Sequence, residues 1–163
     1  MADDCGCPTS FYRLHCNRKG KDDEKDYCVT IRDDKLCLAF PNDSDPDQLW
    51  HKDERGSCGF MLVHKATNKA VKYEGQGDQL ILVNKPIYLD KTVVWDESED
   101  IKSGYKYIRT QIDPDMVMDA YTGIIDDGTK ISIYPENKKV NAPPKENADN
   151  QLWKFILACK TFY

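Results

Sequence analysis

The sequence predicts an all-β protein made of three copies of one four-stranded unit. Three observations carry that reading. Apolar runs are short and alternate with polar residues, a turn signal recurs every few positions, and no stretch of about 12 or more residues keeps a helical period. Twelve candidate strands result. The three tryptophans, Trp50, Trp95 and Trp153, fall on every fourth strand.

The first unit opens with Phe11–Cys16. It continues through Tyr27–Arg32 and Lys35–Phe40 and closes with Gln48–Lys52, which holds Trp50. The second runs Gly59–His64, Ala70–Tyr73, Leu80–Val83 and Thr92–Asp96, around Trp95. The third runs Tyr105–Thr110, Met116–Ala120, Lys130–Tyr134 and Leu152–Leu157, around Trp153. The tryptophans are 45 and 58 residues apart, and the surplus in the third unit lies mainly between Tyr134 and Trp153. None of the units can bury its apolar face alone, so the three are expected to share one core about a threefold axis. That arrangement is a β-trefoil, a short barrel capped by three hairpins that leaves few free sheet edges. The tryptophans are expected in the core rather than on a ligand.

The 163 residues suffice for one domain with a real hydrophobic core, and residues 11–157 are expected to form it, with units at about 11–54, 57–98 and 105–157. A flexible segment over 1–10 and a tail over 158–163 are expected to flank it. The net charge of −5 argues against nucleic acid or an anionic membrane as the main partner. The basic run Arg18-Lys19-Gly20-Lys21 is followed at once by Asp22-Asp23-Glu24 and reads as a solvated loop. No apolar run approaches the roughly 18 residues a membrane span requires, and the acidic N-terminus lacks the apolar region of a signal peptide. A soluble protein of the cytoplasm and nucleus is therefore expected. Its seven cysteines should be reduced thiols, with Cys16, Cys28, Cys37 and Cys159 acting as small buried hydrophobes. Cys5-Gly6-Cys7 offers too few ligands for a closed zinc site, and neither metal nor cofactor is expected.

One stretch, Met118–Trp153, carries chemistry. It holds a carboxylate (Asp119), an aromatic ending the next run (Tyr134), and two amides (Asn150 and Gln151) ahead of the tryptophan. All are hydrogen-bonding groups with little proton-transfer power, which suits a neutral, hydroxyl-rich ligand better than covalent chemistry. The three histidines, His15, His51 and His64, stand apart from any paired Ser or Cys, and no carboxylate pair is distinguished, so an enzyme is not expected.

Gln48-Leu49-Trp50 and Gln151-Leu152-Trp153 keep a Gln-x-Trp signature that Val93-Val94-Trp95 has lost. Further landmarks are Tyr27–Asp33, Leu62–Lys72, Tyr88–Ser98, Met118–Tyr121, Asp127-Gly128-Thr129 and Asp149–Trp153. On these residues the chain, from about Phe11 to Leu157, resembles the ricin-B-type lectin trefoils, and within them the Euonymus-type (EUL) nucleocytoplasmic lectins of plants. The resemblance implies a carbohydrate-binding protein of plant origin with a stress-linked role. It implies a sugar site in any unit that keeps an Asp on its second strand, an aromatic ending its third, and Asn-Gln before the Trp. The third unit has the full set, Asp119, Tyr134, Asn150 and Gln151. The first has Thr30 and Ala39 at the first two positions, and the second has Lys72, Val83 and Val93. One site is therefore expected, not three.

In that site Asp119 would accept hydrogen bonds from sugar hydroxyls, Tyr134 would offer a flat face to C–H groups, and Asn150 would both donate and accept. Gln151 would orient Asp119. Thr122 and Asn137 are expected at the periphery. A shallow site of this kind should bind a monosaccharide with roughly −4 to −6.5 kcal/mol. The surrounding loops depart from the Euonymus-type pattern, with Tyr134 in place of a Trp and Glu136 in place of an aromatic, so galactose- and mannose-containing glycans both stay open. The competing reading is a protein-interaction trefoil that has lost sugar binding. A homodimer is a possible partner state, since one site per chain cannot cross-link.

Overall fold

Twelve strands make up the computed structural model, which describes residues 9–17, 26–121, 125–137 and 149–161. In chain order they are β1 (Thr9–Cys16), β2 (Cys28–Arg32), β3 (Lys35–Ala39), β4 (Trp50–Glu54), β5 (Phe60–His64) and β6 (Ala70–Lys72). They continue as β7 (Ile81–Val83), β8 (Trp95–Glu97), β9 (Ile108–Thr110), β10 (Met116–Ala120), β11 (Ile131–Pro135) and β12 (Trp153–Thr161). Six of them form a barrel wall: β12 pairs with β1, β1 with β4, β4 with β5, β5 with β8 and β8 with β9. The circuit closes through a bridge between Lys106, just ahead of β9, and Trp153. The other six form the hairpins β2–β3, β6–β7 and β10–β11. Backbone bonds tie these hairpins together: Leu36 N–H donates to Leu80 O, Leu80 N–H to Ile131 O, and Leu38 N–H to Thr129 O. This is the β-trefoil expected from the repeats.

The threefold relation is fixed atom by atom. Each tryptophan is buried and donates its indole N–H to a carbonyl in the middle of its unit's second strand. Trp50 reaches Val29 O at 3.1 Å, Trp95 reaches Val71 O at 3.1 Å, and Trp153 reaches Met118 O at 3.0 Å. Val29, Val71 and Met118 are thus equivalent positions. It follows that Thr30, Lys72 and Asp119 are equivalent, and that Ala39, Val83 and Tyr134 are too. The tryptophans belong to one apolar core that includes Leu14, Leu62 and Ile108 of the barrel and Met118, Ile131 and Ile133 of the third hairpin. A buried indole without its acceptor would cost about 1–3 kcal/mol, so these bonds lock each hairpin to the barrel.

Several element limits differ from expectation. Gln48 and Thr92 do not begin strands. They lie in one-turn 3₁₀ segments, Pro46–Gln48 and Lys91–Val93, each capped by an aspartate (Asp45, Asp90) that accepts the N–H two residues on at 2.9 Å. Asp149–Gln151 forms the matching turn of the third unit. The ends of the sheet lie further out than 11–157, because Thr9 and Ser10 pair with Thr161 and Lys160. Cys28 and Cys37 are buried free thiols, and burial pushes the Cys28 thiol up to about 12. Cys159 was expected to be buried and is only half-buried, since β12 passes its core-facing part at Trp153 and runs on along β1 at the surface. Cys5 and Cys7 lie outside the described residues. Among the described residues no helix is long and apolar enough to cross a membrane.

Candidate binding site

Strands β10 and β11 turn Met116, Met118, Ala120, Ile131 and Ile133 into the core. Strand alternation therefore points Asp119, Ser132 and Tyr134 away from it. Asp119 stands directly opposite Ser132, and Val117 opposite Tyr134. The third component is the turn Asp149–Gln151, which leads into β12 and lays two amides against β10. Asn150 Nδ2 donates to Asp119 Oδ1 at 3.2 Å and to Ala120 O at 3.2 Å. Gln151 Nε2 donates to Asp119 Oδ2 at 2.8 Å and to Pro135 O at 3.1 Å. Sequence-distant Asp119, Asn150 and Gln151 thus meet in one hydrogen-bonded cluster.

Gln151 has two roles that can be separated by looking at the first unit. Its Oε1 accepts the N–H of Asn137 at 2.9 Å, so with Pro135 O it brackets the chain leaving β11. Gln48 does the same in the first unit, donating to Phe40 O and accepting from Asn42 N–H, both at 2.8 Å. That bracket is architecture. The bond to Asp119 is peculiar to the third unit, because Thr30 takes the carboxylate's place in the first.

The cluster also fixes how the amides point. With its Oε1 and Nε2 both engaged by backbone, Gln151 cannot reverse, and it presents N–H to Asp119. Among the described residues each carboxylate oxygen accepts one amide bond, which leaves it lone-pair capacity for another donor. Asp119 is buried to 5% exposure, and that burial raises its carboxyl from 3.8 to about 6 despite the bonds from Gln151 and Asn150, which act the other way. Among the described residues nothing donates to Asn150 Oδ1. The three histidines have their basicity lowered by burial and lie in the first two units.

Tyr134 is half-buried beside the cluster. Behind it lies the second unit's loop. Gly77, at φ +81°, donates its N–H to Ile133 O, and a Cβ there would stand 3.2 Å from the Tyr134 hydroxyl. In front stands Tyr121, exposed, with its ring centroid 6.2 Å from that of Tyr134. Burial foremost, then Tyr121 and the Asp119 charge, hold the Tyr134 phenol above its ordinary value.

Of the peripheral residues, Asn137 enters through its backbone N–H and its side chain is exposed, while Thr122 lies outside the described residues. Glu136 is engaged by Arg109 at 2.7 Å, with its side chain 5% exposed. Phe40 is not at the Tyr134-equivalent position. It is 42% exposed and packs on Tyr27 at 4.8 Å. Two further residues share the outward face and were not among the site residues expected from the sequence. Tyr121 follows Asp119 by two positions, and Ser132 is polar where the equivalent residues are Cys37 and Ile81. The Ser132 hydroxyl is buried with no partner among the described residues.

No protein-family model matches the chain. Curated relatives do. The chain is 37% identical over 149 residues to Ricin B-like lectin EULS3 of Arabidopsis thaliana, a match covering 82% of this chain and 44% of that protein. It is 33% identical over 165 residues to Ricin B-like lectin R40G2 of Oryza sativa subsp. japonica, covering 91% and 44%. The chain belongs to the ricin B-like lectin family. EULS3 is an Euonymus-type lectin, in line with the resemblance read from the residues. This ricin B-like chain spans less than half the length of either relative. Solved structures agree on the fold. The designed threefold-symmetric protein ThreeFoil superposes with a TM-score of 0.71 at 15% identity, covering 90% of this chain and 97% of its own. A Macrolepiota procera ricin B-like lectin in complex with lactose gives 0.63 at 14%, covering 89% and 93%. An endo-β-galactosidase from Clostridium perfringens gives 0.67 at 15%, and the match there covers 91% of this chain but 32% of the enzyme.

Proposed function

We propose that this ricin B-like lectin binds a neutral sugar at a single site in its third unit, formed by Asp119, Tyr134, Asn150 and Gln151, and does not catalyse a reaction on it. One observation carries the reading above all. A carboxylate is held in a buried position where ionisation is disfavoured, and among the described residues only two amides donate to it, one to each oxygen, so each oxygen keeps a lone pair for a further donor. A structural carboxylate would be expected to spend its hydrogen-bonding capacity on the fold, whereas this one keeps part of it for a ligand. The equivalent residues Thr30 and Lys72 supply no such group, which supports one site per chain. Galactose- and mannose-containing glycans are the candidate ligands, in the cytoplasm and nucleus. With one site, agglutination needs a second copy or a tandem partner.

A second reading rests on a different surface. Ile87, Tyr88 and Leu89, between β7 and β8, are exposed in a row beside a hollow of about 160 Å³ lined by Met61, Val93 and Val94. Such a patch suits a protein-interaction module. A glycan array separates the two. The sugar-binding reading predicts signals for the wild type that Asp119→Asn abolishes. An empty array favours the interaction module, and signals unchanged by Asp119→Asn refute the third-unit site.

A further inference from the structure

We infer that Tyr121 is a specificity-determining residue of the sugar site, forming a second aromatic face that engages the sugar unit next to the one held at Asp119, so that the site prefers a disaccharide to a monosaccharide. This rests on the sugar-binding reading of the third unit.

Tyr121 sits two residues beyond Asp119, and its N–H still pairs with Lys130 O across the hairpin, so its side chain shares the outward face with Asp119. Asn150 fastens the peptide just ahead of it by donating to Ala120 O. Tyr121 and Tyr134 lie diagonally across that face. Tyr121 is opposite Lys130 and Tyr134 is opposite Val117, four residues apart along β10 or about 13 Å of strand. Yet their ring centroids are 6.2 Å apart. The two rings therefore lean toward each other over the Asp119–Ser132 pair rather than pointing freely into solvent.

The ring geometry says how a ligand can use them. A sugar sandwiched between two parallel rings needs van der Waals contact on both sides, about 7–8 Å between the faces. At 6.2 Å and 36° between planes the rings cannot form such a clamp. They form two adjoining walls. A sugar ring on Tyr134 with its hydroxyls on Asp119 would place its neighbour against Tyr121. The position is peculiar to this unit. The equivalent residue in the first is Arg32, engaged by Asp127 at 2.7 Å, and in the second Glu74. Tyr121 is 44% exposed, so apolar surface of an aromatic ring is kept open at the mouth of the site.

The test takes the best-bound disaccharide from a glycan array and the methyl glycoside of its terminal sugar, and titrates each into wild type, Tyr121→Ala and Tyr121→Phe by calorimetry. The wild type should bind the disaccharide roughly three- to tenfold more tightly than the methyl glycoside. Tyr121→Ala should remove most of that preference, costing the disaccharide far more than the methyl glycoside, and Tyr121→Phe should restore it by keeping the ring. Equal losses for both ligands in Tyr121→Ala, or a preference that survives it, overturn the inference and leave the sugar-binding reading standing. A blank array overturns both.

Discussion

Asp119→Asn separates a ligand-binding carboxylate from a structural one. The substitution keeps shape and removes charge. Asparagine can still accept one amide bond through its oxygen, but its NH₂ must then face the NH₂ of Gln151 or Asn150. Gln151 cannot turn to relieve this, since Asn137 N–H holds its Oε1 and Pro135 O takes its Nε2. A charge-assisted hydrogen bond to a ligand hydroxyl is worth about 1.5–3 kcal/mol, so losing one should weaken sugar binding by roughly 10- to 150-fold. Stability should hold or rise. Ionising Asp119 at about 6 rather than 3.8 costs the folded state about 3 kcal/mol at neutral pH, which the variant recovers. The amide conflict costs about 1–3 kcal/mol in return. The net lies between no change and about 2 kcal/mol of gain, so the midpoint of thermal unfolding should match the wild type or rise by up to roughly 8 °C. Calorimetric titration and a thermal melt read both quantities. Unchanged affinity refutes the binding role. A collapse of the melting point shows that Asp119 holds the fold together.

Four more expectations follow from the same geometry. Sugar affinity should fall as pH drops through about 6, approaching tenfold per pH unit well below it, because the ligand needs the ionised carboxylate; titrations from pH 5 to 8 check this. The linked stability effect has the opposite sign. Since folding raises the carboxyl, the wild type holds the proton between about pH 4 and 6 and loses stability there as pH rises, so Asp119→Asn should gain on the wild type across that window and keep its gain above it. Gly77→Ala must hold a Cβ at φ +81°, costing about 1–2 kcal/mol, and presses on the Tyr134 hydroxyl, so both the melting point and sugar affinity should fall; unaltered affinity would show that the second unit's loop does not position Tyr134. Gln48→Ala and Gln151→Ala each remove a bracket from the end of a third strand and should lower the melting point, Gln151→Ala by more because it also takes a donor from buried Asp119, and only Gln151→Ala should lose sugar binding.

The trefoil was legible because its determinants are repetitive. Alternation marks the strands, and Trp50, Trp95 and Trp153 recur because each unit spends an indole N–H on the same carbonyl position. The site was legible by contrast with Thr30 and Lys72, which show what a unit without a carboxylate looks like. What escaped reading depends on long-range geometry. The 3₁₀ turns before Trp50 and Trp95 arise from Asp45 and Asp90 folding back on their own backbone, and Gln48 and Thr92 look like strand residues until that is seen. Thr9–Ser10 and Ala158–Thr161 carry little apolar pattern and extend the sheet through their mutual pairing. Tyr121 lies one residue past the end of β10, so strand periodicity gave no reason to count it. Gly77 comes from another unit altogether, and only the docking of hairpins places it behind Tyr134.

The claim of one sugar site in the third unit is tested most directly by following backbone amide resonances of the ¹⁵N-labelled protein while the array's best glycan is added. The account predicts saturable shifts for Asp119, Ser132, Tyr134, Asn137, Asn150 and Gln151 that fit one binding event, with Thr30, Ala39, Gln48, Lys72, Val83 and Val93 unmoved. Shifts centred on the first or second unit, or two distinct binding events, would contradict it.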